Sequence, residues 1–226
     1  MATPHSARRA VDRAPRVAPW MALCAVLGVG AMAVHGLTYG LSAWTLDQRR
    51  DVRIARQTLH LPAIDVRDQN GQRVRLFGGL GGHVTAPGVY IVDFIYTRCA
   101  TVCRALGTEF EQLSRQAEVE SMTGRIGLVS LSFDPRDTAA DLLGYAITFR
   151  ARAPGWLVLG PVVPEAMHKV LMAADVIAIP DGLGGFEHNG GLHVVDAAGR
   201  VLAVYPLEGF RDAYAFARAH VEGARP

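Results

Sequence analysis

The hydrophobic positions along the chain predict one long apolar segment followed by an α/β domain. Between Val17 and Leu46 no side chain carries a formal charge, and Trp20 and Trp44 stand towards the two ends of this stretch. A helix of this length crosses a bilayer, and tryptophan favours the membrane interfaces. After residue 58, short β-branched runs alternate with segments of helical periodicity, which is the pattern of an α/β domain.

The individual elements follow from the same pattern. Alternating residues on both sides of Asn70-Gly71 predict an N-terminal β-hairpin. Short apolar runs predict buried strands, and residues at helical spacing predict helices. The predicted strands are 89–92, 126–133, 156–159, 176–179, 192–195 and 201–205, and the predicted helices are 103–118, 139–150, 164–174 and 209–220. A Gly-rich loop is expected at 181–191. Together these elements predict a central mixed sheet flanked by helices.

The charge distribution divides the chain into four parts. We expect a cytoplasmic tail at 1–16, a transmembrane anchor at 17–44, a charged linker at 45–57 and the folded domain at 58–226. A cleaved signal peptide is the alternative for the apolar segment, but no small-residue cleavage site follows its core. Arginines are equally frequent before and after the span, so the charge bias does not set its orientation. We expect an uncleaved signal anchor with the domain outside.

Composition narrows the classes of function. The formal net charge is +2, and no basic run with interleaved aromatic residues occurs. Both facts argue against a nucleic-acid-binding surface. The chain has three cysteines, which are Cys24, Cys99 and Cys103. Three cysteines do not form a disulfide framework, and Cys24 lies in the apolar segment. The chemistry is therefore expected at the close pair.

Cys99 and Cys103 follow a buried strand and stand where the next helix begins. Their spacing is about one helical turn, so both sulfurs face the same way, and a helix N-terminus is expected to lower the pKa values of thiols. The pair is a structural pair, a redox dithiol or a soft-metal site. Thioredoxin-type enzymes have two residues between their cysteines and a proline before the facing strand. Here three residues intervene, and Asn189-Gly190-Gly191 precedes that strand. This favours copper(I) or zinc.

A third metal ligand is sought among the eight histidines. His188 is the best candidate because a Gly-rich loop at a strand edge lets it reach the cysteines. His193 lies inside a strand and is expected to pack there. The other six histidines lie in the tail, the apolar span, the hairpin and its following loop, or the helices. They are His5, His35, His60, His83, His168 and His220. Glu187 is a candidate to orient His188 by a hydrogen bond. Asp134, Arg136 and Asp137 are expected to fix their loop.

These residues give the sequence a resemblance to the Sco/SenC family. The shared features are Phe94-Ile95-Tyr96-Thr97-Arg98-Cys99 with Cys103, the Ser132-Phe133-Asp134-Pro135 loop, and Glu187-His188 before the closing turn. Departures are Ala100 and Arg104, where family members usually have proline after each cysteine. The resemblance implies a thioredoxin-like fold with an N-terminal hairpin, anchored by one transmembrane helix in the inner membrane, with the C-terminal domain in the periplasm.

The resemblance also implies a function. It implies that Cys99, Cys103 and His188 bind copper as Cu(I) or Cu(II). It further implies that the protein delivers copper to, or reduces the cysteines of, the dinuclear copper site of cytochrome c oxidase. The implied partners are the oxidase subunit that carries this site, the membrane, and other copper chaperones or thiol reductants. A thiol:disulfide reductase acting on exported proteins is the alternative. A thiol peroxidase is not favoured, because the Thr-x-x-Cys pattern of such enzymes is absent.

Overall fold

The computed structural model describes residues 17–77, 87–99 and 102–223 and divides into two units, Met1–Val52 and Arg53–Pro226. The predicted tail, with His5, and the loop around His83 therefore lie outside the described residues, as does Ala100. Helix α1 runs from Val17 to Leu37. Its stretch Pro19–Leu37 has a mean hydropathy of 1.8 and is long and apolar enough to cross a membrane. The helix ends before Trp44, so the predicted anchor is helical only in its larger part.

The predicted linker contains a second helix. Helix α2 spans Leu46–Ala55 and is rich in arginine and aspartate. The side chain of Gln48 caps its start by accepting hydrogen bonds from the backbone N–H groups of Trp44 and Thr45. Acidic and basic residues at helical spacing support such a solvated helix. The helical conformation of this charged segment was not predicted.

The second unit is built on a seven-stranded mixed sheet with the order β2-β1-β5-β4-β3-β8-β9. The central strands β3, β4 and β5 are parallel to one another, and β1, β8 and β9 run antiparallel to their neighbours. The strands are β1 Ile64–Asp68, β2 Arg73–Leu76, β3 Val89–Ile95, β4 Ile126–Ser132, β5 Trp156–Pro161, β8 Leu192–Asp196 and β9 Val201–Tyr205. The predicted mixed sheet and its N-terminal hairpin are thereby confirmed.

Burial explains why the central strands read as continuous apolar runs. Every residue of β4 is buried, and so is every residue of β3 except Tyr90. Helices cover both faces of parallel strands, which removes the need for alternation. The hairpin strand β1 instead alternates buried and exposed residues. Its turn places Gly71 at a φ of 79°, a conformation that glycine adopts without strain.

Among the residues that the structure describes, four α-helices accompany the sheet, close to their predicted positions. They are α3 Val102–Val119, α4 Ala139–Phe149, α5 Pro164–Ala173 and α6 Phe210–Gly223. Helix α6 packs against β3, β8 and β9, α4 packs against β5 and β1, and α3 contacts α4 and α6. Thr138 and Asp141 form a capping box at the start of α4. Pro164 is the first residue of α5, as its fixed φ favours.

The segment predicted as an edge strand and Gly-rich loop folds differently. Strands β6, Ala178–Pro180, and β7, Phe186–His188, pair antiparallel in a separate two-stranded sheet. His188 is therefore the last residue of a strand and not a loop residue. The pairing of these strands was not predicted, because glycines separate them and three-residue strands are too short to show a period.

Candidate metal centre

The turn between β3 and α3 brings Cys99 and Cys103 together, as the spacing predicts. The N–H of Cys99 donates to the carbonyl oxygen of Tyr96 at 3.1 Å. The N–H of Cys103 donates to the sulfur of Cys99 at 3.4 Å. Neither cysteine forms a disulfide, and 7% of Cys99 and 0% of Cys103 are exposed. Cys99 therefore lies at the edge of the surface, and Cys103 lies beneath it.

Burial is the main influence on the pKa of the Cys103 thiol. Burial raises the pKa of the Cys103 thiol well above its usual range, and its hydrogen bond with Cys99 adds to the rise. The expectation that the helix N-terminus lowers the thiol pKa values is therefore wrong for Cys103. Removing the thiolate from water disfavours its charged form, and the backbone hydrogen bond with Tyr96 does not offset this cost. A bound metal ion reverses this balance, because a coordinated thiol is deprotonated.

The loop after β4 holds the cysteine turn through Asp137. Its carboxylate accepts hydrogen bonds from the N–H and the hydroxyl of Thr97 at 2.8 and 2.7 Å, and from the hydroxyl of Ser132 at 2.6 Å. Thr97 lies two residues before Cys99. The prediction that Asp137 fixes its loop is confirmed, and the same carboxylate also holds the turn that carries Cys99.

Asp134 ties the same loop to the β6–β7 ribbon. Its fully buried carboxylate accepts hydrogen bonds from Nε and Nη2 of Arg136 and from the guanidinium of Arg98. Although burial alone raises it, the pKa of Asp134 stays below its usual range because these arginine contacts outweigh burial. Arg136 also donates to the carbonyl oxygen of Gly184 at 2.7 Å and lies over the ring of Phe186. Arg136 thus joins the loop after β4 to the ribbon that ends in His188.

His188 packs against aromatic rings on the side of the cysteine turn. The centroid of its ring lies 5.1 Å from that of Phe133 and 6.3 Å from that of Tyr96. Its Nδ1 lies 3.2 Å from the carbonyl oxygen of Asn189. Burial lowers the pKa of His188, which favours the neutral ring. If Nδ1–H donates to Asn189, the lone pair of Nε2 is left for a metal.

Tyr96 contacts both the cysteine turn and the ribbon. Its hydroxyl lies 3.5 Å from the carbonyl oxygen of Phe186. Burial raises the pKa of Tyr96, and a hydrogen bond with Cys99 contributes to the rise. Within residues 17–77, 87–99 and 102–223, no three His, Cys, Asp or Glu side chains are gathered closely enough to hold a metal ion. The structure therefore brings the two cysteines together, while His188 lies next to the ring of Tyr96 and does not join them in one site.

The remaining histidines are not gathered at the cysteines. His193 is buried, with its two ring nitrogens 3.1 and 3.0 Å from the carbonyl oxygens of Gly191 and Ala174, so it packs as predicted. His60 and His168 are exposed, and His220 stacks on Phe216. In the described part of the chain, Glu187 makes no hydrogen bond with His188.

Sequence reasoning missed Asp93, which lies in β3. Its side chain is fully buried, and neither carboxylate oxygen has a hydrogen-bond partner among the described residues. Burial raises the pKa of Asp93 to about 7, and the nearby hydroxyl of Ser130 opposes the rise without reaching hydrogen-bond geometry. The charge of Asp93 adds to the rise in the pKa of Cys103. An acidic residue inside an apolar strand is the signal that identifies it.

Comparison with known protein families gives one match that covers most of the chain. The SCO1/SenC family model matches residues 68–219 of the 226. The SCO1 protein homolog of Bacillus subtilis (strain 168) is 25% identical over 120 residues, which are 52% of this chain and 61% of that relative. The match thus spans about three fifths of the length of the curated relative.

Solved structures share the fold. Bradyrhizobium japonicum ScoI with copper bound is 25% identical, with 71% of this chain and 98% of that chain covered and a TM-score of 0.57. BsSco, a member of the Sco family of cytochrome c oxidase assembly proteins with an identified disulfide switch, is 19% identical, with 73% and 94% covered and a TM-score of 0.60. The likeness confirms the predicted thioredoxin-like fold.

Proposed function

The chain belongs to the SCO1/SenC family, and from this premise we propose that it binds copper through Cys99, Cys103 and His188. The observation that carries the proposal is the close pair of cysteines at the β3–α3 turn, neither in a disulfide, with the imidazole of His188 next to Tyr96 of the same turn. Two thiolates and one imidazole suit Cu(I), and the imidazole also accepts Cu(II). Copper bound to the similar ScoI supports the choice of metal.

The copper is cargo in this proposal. The protein delivers it to the dinuclear copper site of a respiratory cytochrome c oxidase, or reduces the cysteines of that site, during oxidase assembly. The stated role of BsSco in oxidase assembly supports this partner. Cys99 lies at the edge of the surface, where a thiol of the oxidase subunit can exchange with it as a ligand. Another copper chaperone or thiol reductant supplies the metal or the electrons.

A site made of all three donors requires a local rearrangement. The ring of Tyr96 contacts both His188 and the cysteine turn, and the three donors are not within reach of one ion in the described residues. Moving the Tyr96 ring or the β6–β7 ribbon brings the imidazole to the sulfurs. The free energy of forming the metal–ligand bonds is the source of energy for this movement.

We also propose the membrane arrangement of the chain. Helix α1 anchors the protein in the inner membrane, with residues 1–16 in the cytoplasm and residues 58–226 in the periplasm. Residues 45–57 link the anchor to the periplasmic domain. The length and hydropathy of α1 support this. A fusion of alkaline phosphatase to the C-terminus tests the orientation, because that enzyme is active only when exported. An inactive phosphatase fusion together with an active C-terminal β-galactosidase fusion would contradict the arrangement.

Titration with copper tests the binding proposal. The reduced full chain, carrying Cys24→Ala and kept in a non-ionic detergent, is titrated with Cu(I) against a competing chelator. We expect one copper per chain, and His188→Ala weakens the affinity by at least about tenfold. His168→Ala is the matched control, because His168 is exposed on α5. Absent stoichiometric binding, or equal affinities of the two variants, contradicts the proposal.

A thiol:disulfide reductase is the second candidate function. The contact between the Cys103 N–H and the Cys99 sulfur supports this candidate, because it places close together two cysteines that form no disulfide. Such an enzyme reduces a disulfide substrate repeatedly in the absence of metal. Metal-free turnover that is unaffected by His188→Ala favours the reductase. The absence of metal-free turnover favours the copper function.

A further inference from the structure

A cavity opens beside Cys99 on the side that faces α4. Its volume is about 390 Å³, and it lies between the cysteine turn and α4. The rings of Tyr145 and Phe149, with centroids 4.7 Å apart, form its apolar part. The helices approach closely here, since a Cβ at Gly107 would meet the ring of Phe149 at 2.6 Å. A cavity with an apolar wall thus lies next to Cys99, the more exposed cysteine of the pair.

The cavity carries a positive charge that the protein itself does not neutralise. Of its two arginines, Arg98 is engaged by Asp134 at 3.3 Å and lies 3.9 Å from Asp141. The carboxylate of Asp141 is in turn occupied in the cap of α4, where it accepts from Thr138. Arg104 is exposed and makes no ion pair or side-chain hydrogen bond within the described residues. Its guanidinium is therefore available to a ligand.

Arg104 is one residue beyond Cys103 and lines the same cavity as Cys99. Because both residues line one cavity, a bound peptide whose carboxylate pairs with Arg104 has its neighbouring residues next to Cys99. The guanidinium binds carboxylates in a two-pronged geometry, which also orients them. Aromatic walls and a free arginine together favour a peptide with both apolar and acidic side chains.

We propose that this cavity binds an acidic segment of the protein partner and so brings the partner's metal ligand or thiol to Cys99. The inference rests on the proposed function only in identifying the partner as the protein that exchanges copper or electrons with Cys99. The occupant is an extended peptide with Asp or Glu beside an apolar residue, and the complementary charge is that of Arg104.

Two alkylating reagents of nearly equal size test the charge of the cavity. Iodoacetate is an anion and iodoacetamide is neutral, and both react when the Cys99 thiolate forms a sulfur–carbon bond and iodide leaves. The rate of each reaction at Cys99 is followed by mass spectrometry on the reduced, metal-free full chain with Cys24→Ala. Because both reagents sample the same thiolate fraction, the ratio of their rate constants reports local charge and not the pKa of the thiol.

We expect Arg104→Glu to lower the iodoacetate-to-iodoacetamide ratio by about tenfold at low ionic strength, and Arg104→Lys to preserve most of it. Arg73→Glu is the matched control, with the same change of charge at an exposed position of β2. In about 1 M salt the difference disappears. An unchanged ratio in Arg104→Glu, an equal change in Arg73→Glu, or a Cys99 that reacts with neither reagent overturns the inference.

The identity of the occupant is tested by protection. A soluble peptide of alternating Glu and Leu is expected to slow the reaction of Cys99 with iodoacetamide, and its Lys and Leu counterpart is not. Arg104→Glu abolishes the protection. Equal effects of the two peptides, or no protection, overturn the inference even when the reagent ratio depends on Arg104. Copper stoichiometry measured on the same preparation reports separately on the proposed function, so the two ideas fail independently.

Discussion

The carboxylate of Asp137 holds Thr97 by two hydrogen bonds, to its backbone N–H at 2.8 Å and to its hydroxyl at 2.7 Å. The hydroxyl of Ser132 at the end of β4 donates to the same carboxylate. Since Thr97 lies two residues before Cys99, the loop after β4 determines where the first sulfur is placed. The position of the thiol pair therefore depends on residues about forty positions away in the chain.

Replacing Asp137 with alanine is expected to destabilise the fold and to weaken copper binding. The change leaves three donors without their charged acceptor, and the free energy of unfolding should fall by about 3 kcal/mol. Urea unfolding of the full chain in non-ionic detergent measures the loss, and a Cu(I) titration should show about tenfold weaker affinity. Asp65→Ala is the control, since it removes only the exposed pair with Arg75 and costs about 0–1 kcal/mol. Equal losses in the two variants would contradict this role of Asp137.

Arg136→Ala is expected to weaken copper binding without touching a proposed ligand. Arg136 joins the buried carboxylate of Asp134 to the carbonyl oxygen of Gly184 in the β6–β7 ribbon. Its loss frees the ribbon that carries His188, so copper affinity should fall by about tenfold. Amide hydrogen exchange in β7 should rise at the same time. Arg200→Ala is the comparison, because its ion pair with Asp196 lies at the opposite end of β8. Unchanged exchange in β7 would exclude this explanation.

Asp93→Asn is expected to remove a pH dependence of stability. The folded protein holds the pKa of Asp93 at about 7, above the value of 3.8 expected when unfolded. The unfolded state therefore loses its proton first, and stability falls as the pH rises through this interval. At about 1.4 kcal/mol per pKa unit, the loss between pH 5 and pH 8 is about 3 kcal/mol.

The measurement is the free energy of unfolding of the native protein and of Asp93→Asn at both pH values. The amide carries no charge at either pH, so its own burial cost is the same at pH 5 and pH 8. The free energy of unfolding of Asp93→Asn should therefore increase relative to that of the native protein as the pH rises. A difference that stays constant between pH 5 and pH 8 would show that Asp93 does not titrate in this range.

The fold could be predicted in large part because its strands and helices are long enough to show their periods. The buried runs of β3 and β4, the Asn70-Gly71 hairpin and the cap of α4 at Thr138 all lie where local chemistry places them. The strand predicted at 176–179 overlaps β6, whereas β7 and its pairing with β6 were missed because strands of three residues are too short to show a pattern. Its pairing depends on contacts between residues that are distant in the sequence.

The site was predictable in its residue types and not in its arrangement. The spacing of Cys99 and Cys103 at a strand–helix junction is visible in the sequence, and the structure confirms their proximity. Burial of Cys103, which raises its pKa, depends on the packing around it. The place of Tyr96 next to His188 depends on the ribbon. Neither follows from spacing alone.

The central claim is that two sulfurs and one imidazole hold copper. X-ray absorption fine structure at the copper edge, recorded on the reduced full chain with Cys24→Ala and one Cu(I) added, counts these donors. The account predicts two sulfur atoms and one imidazole nitrogen, with loss of the nitrogen in His188→Ala and no change in His168→Ala. Sulfur donors alone in the native protein, or a nitrogen that persists in His188→Ala, would contradict it.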